Sequence, residues 1–252
     1  MWDETRGAHY TIWLVALVLY VYDSAKLLSP RELLLVEAGR GRLAPGFSDH
    51  PFTLAGRVLL FAPLLQPFRG VFVAPWSKPW VNDGALKKPL ASIDSLRRAL
   101  RVVRVLATGG FLLLFVVGPV STWLLGPDAA VLYTAAVVYL TAVAAVACLW
   151  WRRRALRLTV SRCAILSAEI VVCPAFLPNL VRKITTLQPV EVDGAQILAA
   201  TADVVVRNEF FSRLDARLED LLGEIESEGA VHTQLHAYRS RIREAGVSSA
   251  RL

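Results

Sequence analysis

Two long apolar segments joined by a very short turn constrain this chain more than any other feature. Residues 105–125 and 129–151 are 21 and 23 residues long, and neither segment contains a charged side chain. About 20 helical residues, each rising about 1.5 Å, cover a hydrocarbon core of about 30 Å. A hairpin in a soluble core is the alternative, but neither segment shows the polar stripe of a half-exposed helix. The pattern predicts a transmembrane helical hairpin that turns at Gly126, Pro127 and Asp128.

Pro119 interrupts the first of these two segments. A proline inside a helix removes one backbone donor and bends the helix. We therefore expect a kink at this position. The carbonyl group that loses its donor is expected to bond to a nearby hydroxyl, and Ser121 and Thr122 are the available candidates.

Basic and aromatic residues surround the hairpin and also occur earlier in the chain. Tryptophan and arginine are enriched where a membrane meets water. The residues predicted to face lipid are Trp76, Trp80, Lys87, Lys88, Arg97, Arg98, Arg101, Arg104, Arg152, Arg153 and Arg154. They predict contact with the anionic headgroups of membrane lipids. Nucleic-acid binding is not expected, because these basic residues lie beside apolar segments rather than on a soluble face.

A shorter apolar segment lies near the N-terminus. Residues 8–22 are uncharged, and an extension to residue 28 reaches the length of a membrane span but includes Asp23 and Lys26. A cleaved signal peptide is the alternative, but acidic residues precede the segment and no small-residue cleavage site follows it. We predict an uncleaved transmembrane helix.

The distribution of basic residues predicts how the chain is threaded. Thirteen lysines and arginines lie between residue 22 and the hairpin, none lies in the hairpin turn, and five follow at residues 152–162. Cytoplasmic loops are the ones enriched in such residues. The N-terminus is therefore predicted outside and the C-terminus in the cytoplasm. Arginine outnumbers lysine 23 to 5, which together with abundant alanine and leucine suggests a bacterial inner membrane.

The predicted fold is an all-α integral membrane protein with three transmembrane helices, interfacial amphipathic helices and a cytoplasmic helical tail. Its segments are an N-terminal transmembrane helix at 1–28, a cytoplasmic membrane-surface region at 29–104, the hairpin at 105–151, a basic interfacial or re-entrant segment at 152–189, and an acidic tail at 190–252. The tail from residue 191 holds 7 basic and 11 acidic side chains, a charge of −4, against +11 for the rest.

Local patterns inside the region 29–104 predict several short elements. Ser29 and Glu32 have the spacing of a capping box, which predicts a helix that ends at Gly39. Residues 52–61 are interpreted as a short helix and residues 71–74 as extended chain. Whether strands occur in residues 45–80 stays open. Helical spacing among basic residues predicts an amphipathic helix through Leu90, Ile93, Leu96, Leu100 and Val103.

Residues 164–181 are the most ambiguous stretch. They contain Glu169, Pro174 and Pro178, and basic residues lie at both ends. A fourth span would place a glutamate inside the membrane, where it would be a functional site by default. The two prolines and the marginal length favour a broken interfacial or packed helix instead.

The tail carries a helical seam of apolar residues. Heptad spacing runs from Ile197 towards Ile225, with Arg207 as the one polar interruption. The residues predicted to bind a partner are Phe211, Leu214, Leu218, Leu221 and Ile225. The partner of this seam is another protein, a second copy of the chain, or another part of the same chain.

Few side chains suggest chemistry. Asp23 and Glu169 are the candidate functional carboxylates, because they lie closest to lipid depth. His232, His236 and Glu228 have the spacing of metal ligands, but a solvated tail explains them better. Other weak candidates are an acid–base pair at Asp49 and His50 and a nucleophilic site near Ser161, Ser167, Cys163 and Cys173. No cofactor motif is present, and the cysteines form no metal-binding pair.

Two functional hypotheses follow. The first is a non-catalytic membrane subunit or adaptor that docks a cytoplasmic partner, or a second copy of itself, through its tail. The second is a membrane enzyme or transporter component that acts on a lipid or a small ion through Glu169, Asp23 or the pair Asp49 and His50.

Overall fold

A computed structural model describes residues 4–29, 32–39, 41–46, 52–54, 57–61, 64–76, 78–188, 190–224 and 230–248. The chain divides into two compact units, and both are discontinuous in sequence. The first unit contains Met1–Lys26, Phe61–Val71 and Asp94–Gln188. The second unit contains Leu27–Leu60, Phe72–Ile93 and Pro189–Leu252.

Helices dominate the described residues. They are α1 (Glu4–Ser24), α2 (Asp83–Ala99), α3 (Arg101–Leu112), α4 (Gly118–Leu125), α5 (Pro127–Arg152), α6 (Val160–Val172), α7 (Leu180–Thr186), α8 (Gly194–Thr201), α9 (Val204–Glu224) and α10 (Ala230–Ser248). A π-helical turn, Leu113–Val117, joins α3 to α4, and a 3₁₀ segment, Pro174–Asn179, precedes α7. The strands are β1 (Ala25–Leu28), β2 (Glu32–Glu37), β3 (Leu43–Pro45), β4 (Phe52–Leu54), β5 (Arg57–Phe61) and β6 (Val71–Pro75).

The structure contains the predicted hairpin in the first unit. Arg101–Leu125 and Asp128–Arg152 are both 25 residues long and apolar enough to cross a membrane. Gly126 makes the turn with a φ of 84°, a left-handed conformation that a residue without Cβ adopts readily. The apolar part of α1, Thr11–Ser24, is shorter than these two helices. Helix α1 ends at Ser24, and the predicted extension to residue 28 is wrong because Ala25–Leu28 forms a strand.

Each arm of the hairpin buries one narrow stripe of side chains. The stripe on the first arm is Val103, Ala107, Gly110, Leu114, Gly118 and Thr122, and the stripe on α5 is Ala130, Thr134, Val138, Ala142, Ala145 and Leu149. Most members recur at intervals of four residues, which places them on one helix face. Several of them are small, and small residues let two helices approach closely. The outward faces remain apolar, with Leu124, Leu132 and Leu140 exposed.

The first arm is irregular next to Pro119, as the sequence predicted. The π-helical turn lies directly before Gly118 and Pro119, and such turns are a known cause of helix bending. Ser121 and Thr122 both donate hydrogen bonds to the carbonyl of Gly118, each at 2.9 Å. The sequence predicted that these hydroxyls would bond to the carbonyl group that loses its donor at Pro119. They bond instead to Gly118, which lies one turn earlier in their own helix.

Replacing Gly118 by alanine is expected to lower the free energy of unfolding by about 1–3 kcal/mol, because the site is overpacked by any Cβ. A Cβ atom at Gly118 would lie 2.4 Å from Cη2 of Trp13, whose ring packs α1 against α4. Gly109→Ala is the matched control, because a Cβ there meets no atom within 4 Å. Thermal unfolding of both variants in detergent micelles measures the difference. Equal stability of the two would contradict the packing.

The segment after the hairpin is a broken helix, as the prolines favoured. Helix α6 ends at Val172, the 3₁₀ segment follows, and α7 begins at Leu180. Thr159 caps α6 by accepting a hydrogen bond from the amide of Arg162 at 3.3 Å. The 3₁₀ segment packs closely on α3, because a Cβ at Gly110 would lie 2.7 Å from Cδ2 of Leu177.

The prediction of an all-α protein is wrong between residues 25 and 75. Two three-stranded sheets occur there, with strand orders β1-β5-β4 and β3-β2-β6. Strands β2 and β3 are antiparallel, with Leu35 opposite Pro45 and Glu37 opposite Leu43. Strands β4 and β5 are also antiparallel and replace the short helix expected at residues 52–61. The extended chain expected at residues 71–74 is confirmed as β6.

The misassigned helix at β2 has a clear physical origin. Leu33, Leu34, Leu35 and Val36 are all buried, so both faces of this strand are covered. A short continuous apolar run does not distinguish a buried strand from a buried helix by its periodicity. The amide of Ser29 does donate to the Glu32 carboxylate at 2.9 Å, as in a capping box, but a strand follows.

The second unit packs helices against the sheet that contains β2. Helix α8 lies close to this sheet, since a Cβ at Gly194 would lie 3.0 Å from Leu33 and 3.1 Å from Ala74. Helices α8 and α9 also contact β3. The predicted helical tail is confirmed, with an unpredicted break at Ala202 and Asp203. The sequence also predicts a break at Gly229, which lies outside the described residues.

Candidate functional site

The two candidate carboxylates, Asp23 and Glu169, lie at one cluster of polar side chains in the first unit. The C-terminal end of α1 supplies Asp23 and Ser24, α6 supplies Glu169, and the segment 174–186 supplies the rest. We call this group the Asp23 cluster, and its members are Asp23, Ser24, Glu169, Asn179, Arg182 and Lys183. Contacts of the 3₁₀ segment with α1 and α6 bring these parts of the chain together.

Lys183 joins the two carboxylates. Its Nζ lies 2.8 Å from Oδ1 of Asp23 and 2.6 Å from Oε2 of Glu169. The same ammonium lies 4.5 Å from the centre of the Phe176 ring. The Lys183 and Asp23 side chains are 13% and 14% exposed, whereas that of Glu169 is 38% exposed. Asp23 therefore forms the more enclosed half of this ion pair.

A second set of bonds links the same helix end to Arg182. Asn179 donates to Oδ2 of Asp23 at 3.0 Å and to the Tyr20 carbonyl at 3.1 Å. Arg182, which is 2% exposed, donates to Asn179 at 2.7 Å and to Ser24 at 3.1 Å. Its guanidinium also lies 5.8 Å from the centre of the Tyr20 ring, a cation–π distance.

The six members of the Asp23 cluster are together neutral, with two carboxylates, one ammonium and one guanidinium. Lys26 is a further cation that interacts electrostatically with Asp23 and Glu169. Each carboxylate has a cationic partner, and the buried cation Arg182 has hydrogen-bond partners on two elements. Buried charges are tolerated when they are paired in this way. The arrangement can fix the end of α1 against α6 and α7. Burial lowers the pKa of the Arg182 guanidinium, and the nearby Tyr20 and Asp23 oppose that effect.

Sequence reasoning singled out two members of this cluster and missed the other four. Asp23 and Glu169 were noticeable because carboxylates beside apolar segments are rare. Arg182 and Lys183 were interpreted only as flanking basic residues. Asn179 lies 156 positions from its partner Asp23, and no helical or strand period connects positions so far apart.

The basic residues around the hairpin also come together. Helices α3 and α5 are in contact, and Arg152 donates to the carbonyl of Ala99 at 3.3 Å. The start of the first arm and the end of the second therefore share one end of the hairpin. Arg98, Arg101 and Arg154 are exposed there, and Arg97, Arg104, Arg152 and Arg153 are half-buried. Trp151 is 85% exposed at the same end.

The other residues predicted to face lipid belong to the second unit. Trp76 and Trp80 are half-buried, and the Trp76 ring lies 6.1 Å from that of Tyr238. Lys87 and Lys88 are exposed on α2.

The tail seam is covered by the chain itself where the structure describes it. Phe211, Leu214 and Leu218 are buried, with exposed fractions of 3%, 7% and 0%. Helix α9 contacts α10 and β3, which provide this cover within the second unit. The Leu221 side chain and Ile225 lie outside the described residues. The described part of the seam thus contributes to the core of the second unit.

The weaker candidates show no assembled chemistry among the residues that the structure describes. The rings of His232 and His236 are 5.6 Å apart, but Glu228 lies outside those residues, as do Asp49 and His50. Within the same ranges, no group of three metal-binding side chains is found. Ser167 donates to the carbonyl of Cys163 and accepts from Trp150, so it serves helix packing. The three cysteines are free thiols.

A buried carboxylate in the second unit was not predicted as a site. Asp193 is fully buried and accepts hydrogen bonds from the amides of Lys78, Ala195 and Gln196 at 2.9, 2.9 and 3.2 Å. It also accepts from the Tyr238 hydroxyl at 3.0 Å. Burial raises the pKa of this carboxyl, and the four donors oppose the shift. Asp193 thus caps α8 and connects it to α10 and to the chain before α2.

Replacing Asp215 by asparagine is expected to lower the stability of the pair α9–α10 by about 1–2 kcal/mol at neutral pH. Arg239 and Arg243 donate to this carboxylate at 2.7 and 2.9 Å and lower its pKa from 3.8 to about 2. A lowered pKa adds stability above pH 3.8, and that stability is lost as the pH falls through about 2. Urea unfolding should show that the free energies of unfolding of Asp215→Asn and the wild type converge as the pH falls from 3.8 to about 2. The control Asp220→Asn, at an exposed position, should change the stability little.

Comparisons of this sequence and structure with protein-family models, with curated proteins and with solved structures gave no match.

Proposed function

We propose that the chain is a multi-pass membrane protein that acts as a non-catalytic membrane subunit or adaptor. The observation that carries the proposal is the apolar outward surface of the hairpin. Leu124, Leu132, Leu140 and Trp123 are between 64% and 77% exposed, although each lies on a helix long enough to span a bilayer. Only 28% of each apolar window is buried inside the protein. Outward faces of this composition suit hydrocarbon far better than water.

Helix α1 is the third span in this proposal. It carries a similar outward surface, with Leu14 and Val18 each 59% exposed. Trp13 of α1 donates to the Thr122 hydroxyl at 3.1 Å, which ties α1 to the first arm of the hairpin. A hydrogen bond between helices is one of the contacts that hold spans together in lipid. The N-terminus then lies outside and the C-terminus in the cytoplasm, on the same side as the arginines at the end of the hairpin.

The Asp23 cluster supports a structural role for the membrane unit. A general base or an ion-binding carboxylate needs an accessible oxygen, and here both carboxylates are bound to the same ammonium. The cluster connects α1 to α6 and α7, which are separated from it by the whole hairpin. Its proposed role is to hold the first span in register with the rest of the unit.

The second unit is the proposed docking part of the adaptor. Since the seam at Phe211, Leu214 and Leu218 is buried, a partner would bind the outward side of α9, which is exposed and charged at Glu209, Arg213 and Arg217. Such a surface favours a partner held by polar contacts, and these weaken with salt. A second copy of the chain is the other occupant, because a surface with both signs of charge can complement itself.

The membrane proposal is tested by extraction and by topology. The chain is expected to stay in the membrane fraction at alkaline carbonate pH and to enter solution only with detergent. A reporter that is active only in the cytoplasm should be active when fused to residue 252 and inactive when inserted after Asp128. Release by carbonate, or an inactive reporter at residue 252, would overturn the proposed threading.

The adaptor proposal is tested by the mass of the solubilised particle. We expect the full-length chain to elute with a partner or as an oligomer, and the charge-reversed variant Arg213→Glu with Arg217→Glu to elute as a smaller particle. Ser212→Ala, at the exposed position next to Arg213, is the matched control. A monomer without a partner in both samples would contradict docking through this surface.

A membrane enzyme or transporter component is the second candidate, and the partial exposure of Glu169 is the observation that favours it. The variant Glu169→Gln separates the two functions. A structural role predicts normal assembly and an unchanged cellular phenotype, because Lys183 keeps its bond to Asp23. Normal assembly with a lost phenotype would instead assign chemistry to Glu169.

A further inference from the structure

We propose that the arginines at the cytoplasmic end of the hairpin form a binding site for the phosphodiester headgroups of anionic phospholipids. We call this group the arginine band, and its members are Arg98, Arg101, Arg152, Arg153 and Arg154. The inference rests on the proposed function, because it assumes that the hairpin crosses a membrane. It goes further in assigning one place on the molecule and one class of lipid.

The band is assembled from two parts of the sequence. Arg98 and Arg101 lie at the junction of α2 and α3, whereas Arg152 is the last residue of α5 and Arg153 and Arg154 follow it. The bond of 3.3 Å between Arg152 and the Ala99 carbonyl fixes these ends beside each other. Packed helices are about 8–10 Å apart, so guanidinium groups from both arms can reach one headgroup.

No acidic residue of the adjacent sequence neutralises the band. Residues 95–127 and 129–168 contain none, although nine arginines lie within them, at positions 97, 98, 101, 104, 152, 153, 154, 157 and 162. The acidic residues that border these stretches are Asp94, which pairs with Arg97, Asp128 at the opposite end of the hairpin, and Glu169, which pairs with Lys183. The positive charge of the five band arginines calls for an external anion.

The turn after α5 holds the band in place. Leu156 and Leu158 are buried, and Gln188 donates to the Leu156 carbonyl at 3.1 Å. Arg157 has a φ of 55°, which lets the chain reverse sharply between α5 and α6. Arg154 therefore projects from an anchored turn. A site that is ordered before binding loses less entropy when its ligand arrives.

The chemistry of the band fits a phosphodiester in the headgroup layer. A guanidinium presents two parallel N–H donors to a phosphate and keeps its charge at every physiological pH. Trp150 and Trp151 lie at the same level, and Trp151 is 85% exposed, as expected for a ring at the membrane interface. Zwitterionic lipids offer the same phosphate but add a cation that the band repels, so an anionic lipid is preferred.

The test compares lipid retention by the purified full-length chain. The chain is reconstituted in nanodiscs of phosphatidylcholine alone, or of phosphatidylcholine mixed with phosphatidylglycerol, and the lipids that stay bound after release are counted by native mass spectrometry. Phosphatidylglycerol should be retained in preference to phosphatidylcholine. The variant Arg98→Gln, Arg101→Gln and Arg154→Gln should reduce that preference about tenfold or more. Three exposed arginines of the second unit outside the proposed docking surface, changed as Arg42→Gln, Arg241→Gln and Arg243→Gln, form the matched control.

The outcomes separate this inference from the membrane proposal. Failure to enter discs of phosphatidylcholine would reject the membrane proposal, whatever the role of the arginines. Entry into both kinds of disc with equal retention of the two lipids would reject the arginine band alone. An equal loss of preference in the control variant would show a diffuse charge effect and would also overturn the site. Binding of a duplex DNA oligomer that depends on the same three arginines would reassign the band to nucleic acid.

Discussion

Replacing Lys183 by methionine is expected to lower the free energy of unfolding of the first unit by about 3–5 kcal/mol. The substitution keeps a long apolar stem but removes the ammonium that lies within 2.8 Å of Asp23 and 2.6 Å of Glu169. Asp23 would then keep only the bond from Asn179 while its side chain stays 86% covered. Asp23 loses the one cation in direct contact with it, while Lys26 and Arg182 stay close enough to interact with it electrostatically. Because Asp23 is enclosed, the loss still exceeds that of a surface pair, which contributes about 0–1 kcal/mol.

Two further variants identify the origin of this loss. Asp23→Asn combined with Lys183→Met removes both charges, so it should recover most of the stability that Lys183→Met loses. Glu169→Gln alone should lower the free energy of unfolding less than Lys183→Met does, because the Glu169 side chain is 38% exposed. Thermal unfolding in detergent, followed by tryptophan fluorescence, measures all three. A Lys183→Met protein as stable as the wild type would show that the ion pair does not hold α1 in place.

The hairpin could be predicted from the sequence because its signal is local and long. Two uninterrupted apolar runs and a turn at Gly126 leave few alternatives, and the structure places helices at Arg101–Leu125 and Asp128–Arg152. The strands could not be predicted with the same means. Leu33–Val36 is a run of four apolar residues, and leucine favours helix when its environment is ignored. Cover by α8 and by the neighbouring strands decides for a strand, and that cover comes from distant sequence.

The Asp23 cluster shows the same limit at the level of a site. An unusual carboxylate is visible in a sequence, but its partner is not, because pairing depends on how the helices pack. The buried seam of α9 shows the same limit for a surface. Heptad spacing identified Phe211 and Leu218 as contact residues, and only the fold shows that α8, α10 and β3 contact this helix. Periodicity therefore predicts which face is covered and not what covers it.

Replacing Asp193 by asparagine is expected to lower the stability of the second unit by about 2–4 kcal/mol, although the substitution removes a buried charge. One carboxylate oxygen accepts from the amides of Ala195 and Gln196, and the other accepts from the amide of Lys78 at 2.9 Å. An asparagine has one acceptor oxygen, so its NH₂ group must face an N–H donor on one side or the other. The amide that loses its acceptor then faces an N–H donor inside a largely enclosed site, and this costs more than the removed charge gains.

The pH dependence gives this prediction a second, independent readout. Burial raises the pKa of Asp193 above 3.8, so between 3.8 and its folded value the native state binds more protons than the unfolded state. The stability that the wild type derives from this proton is fully present below pH 3.8 and is lost as the pH rises through the folded pKa. The stability difference between wild type and Asp193→Asn should therefore widen on acidification, because all other titrating groups are shared. Urea unfolding of both proteins at several pH values measures this difference, with Asp220→Asn as the control at an exposed position of the second unit. If the stability difference between the two proteins narrows in acid, the hydrogen-bond donors and not burial determine the direction of the pKa shift of Asp193.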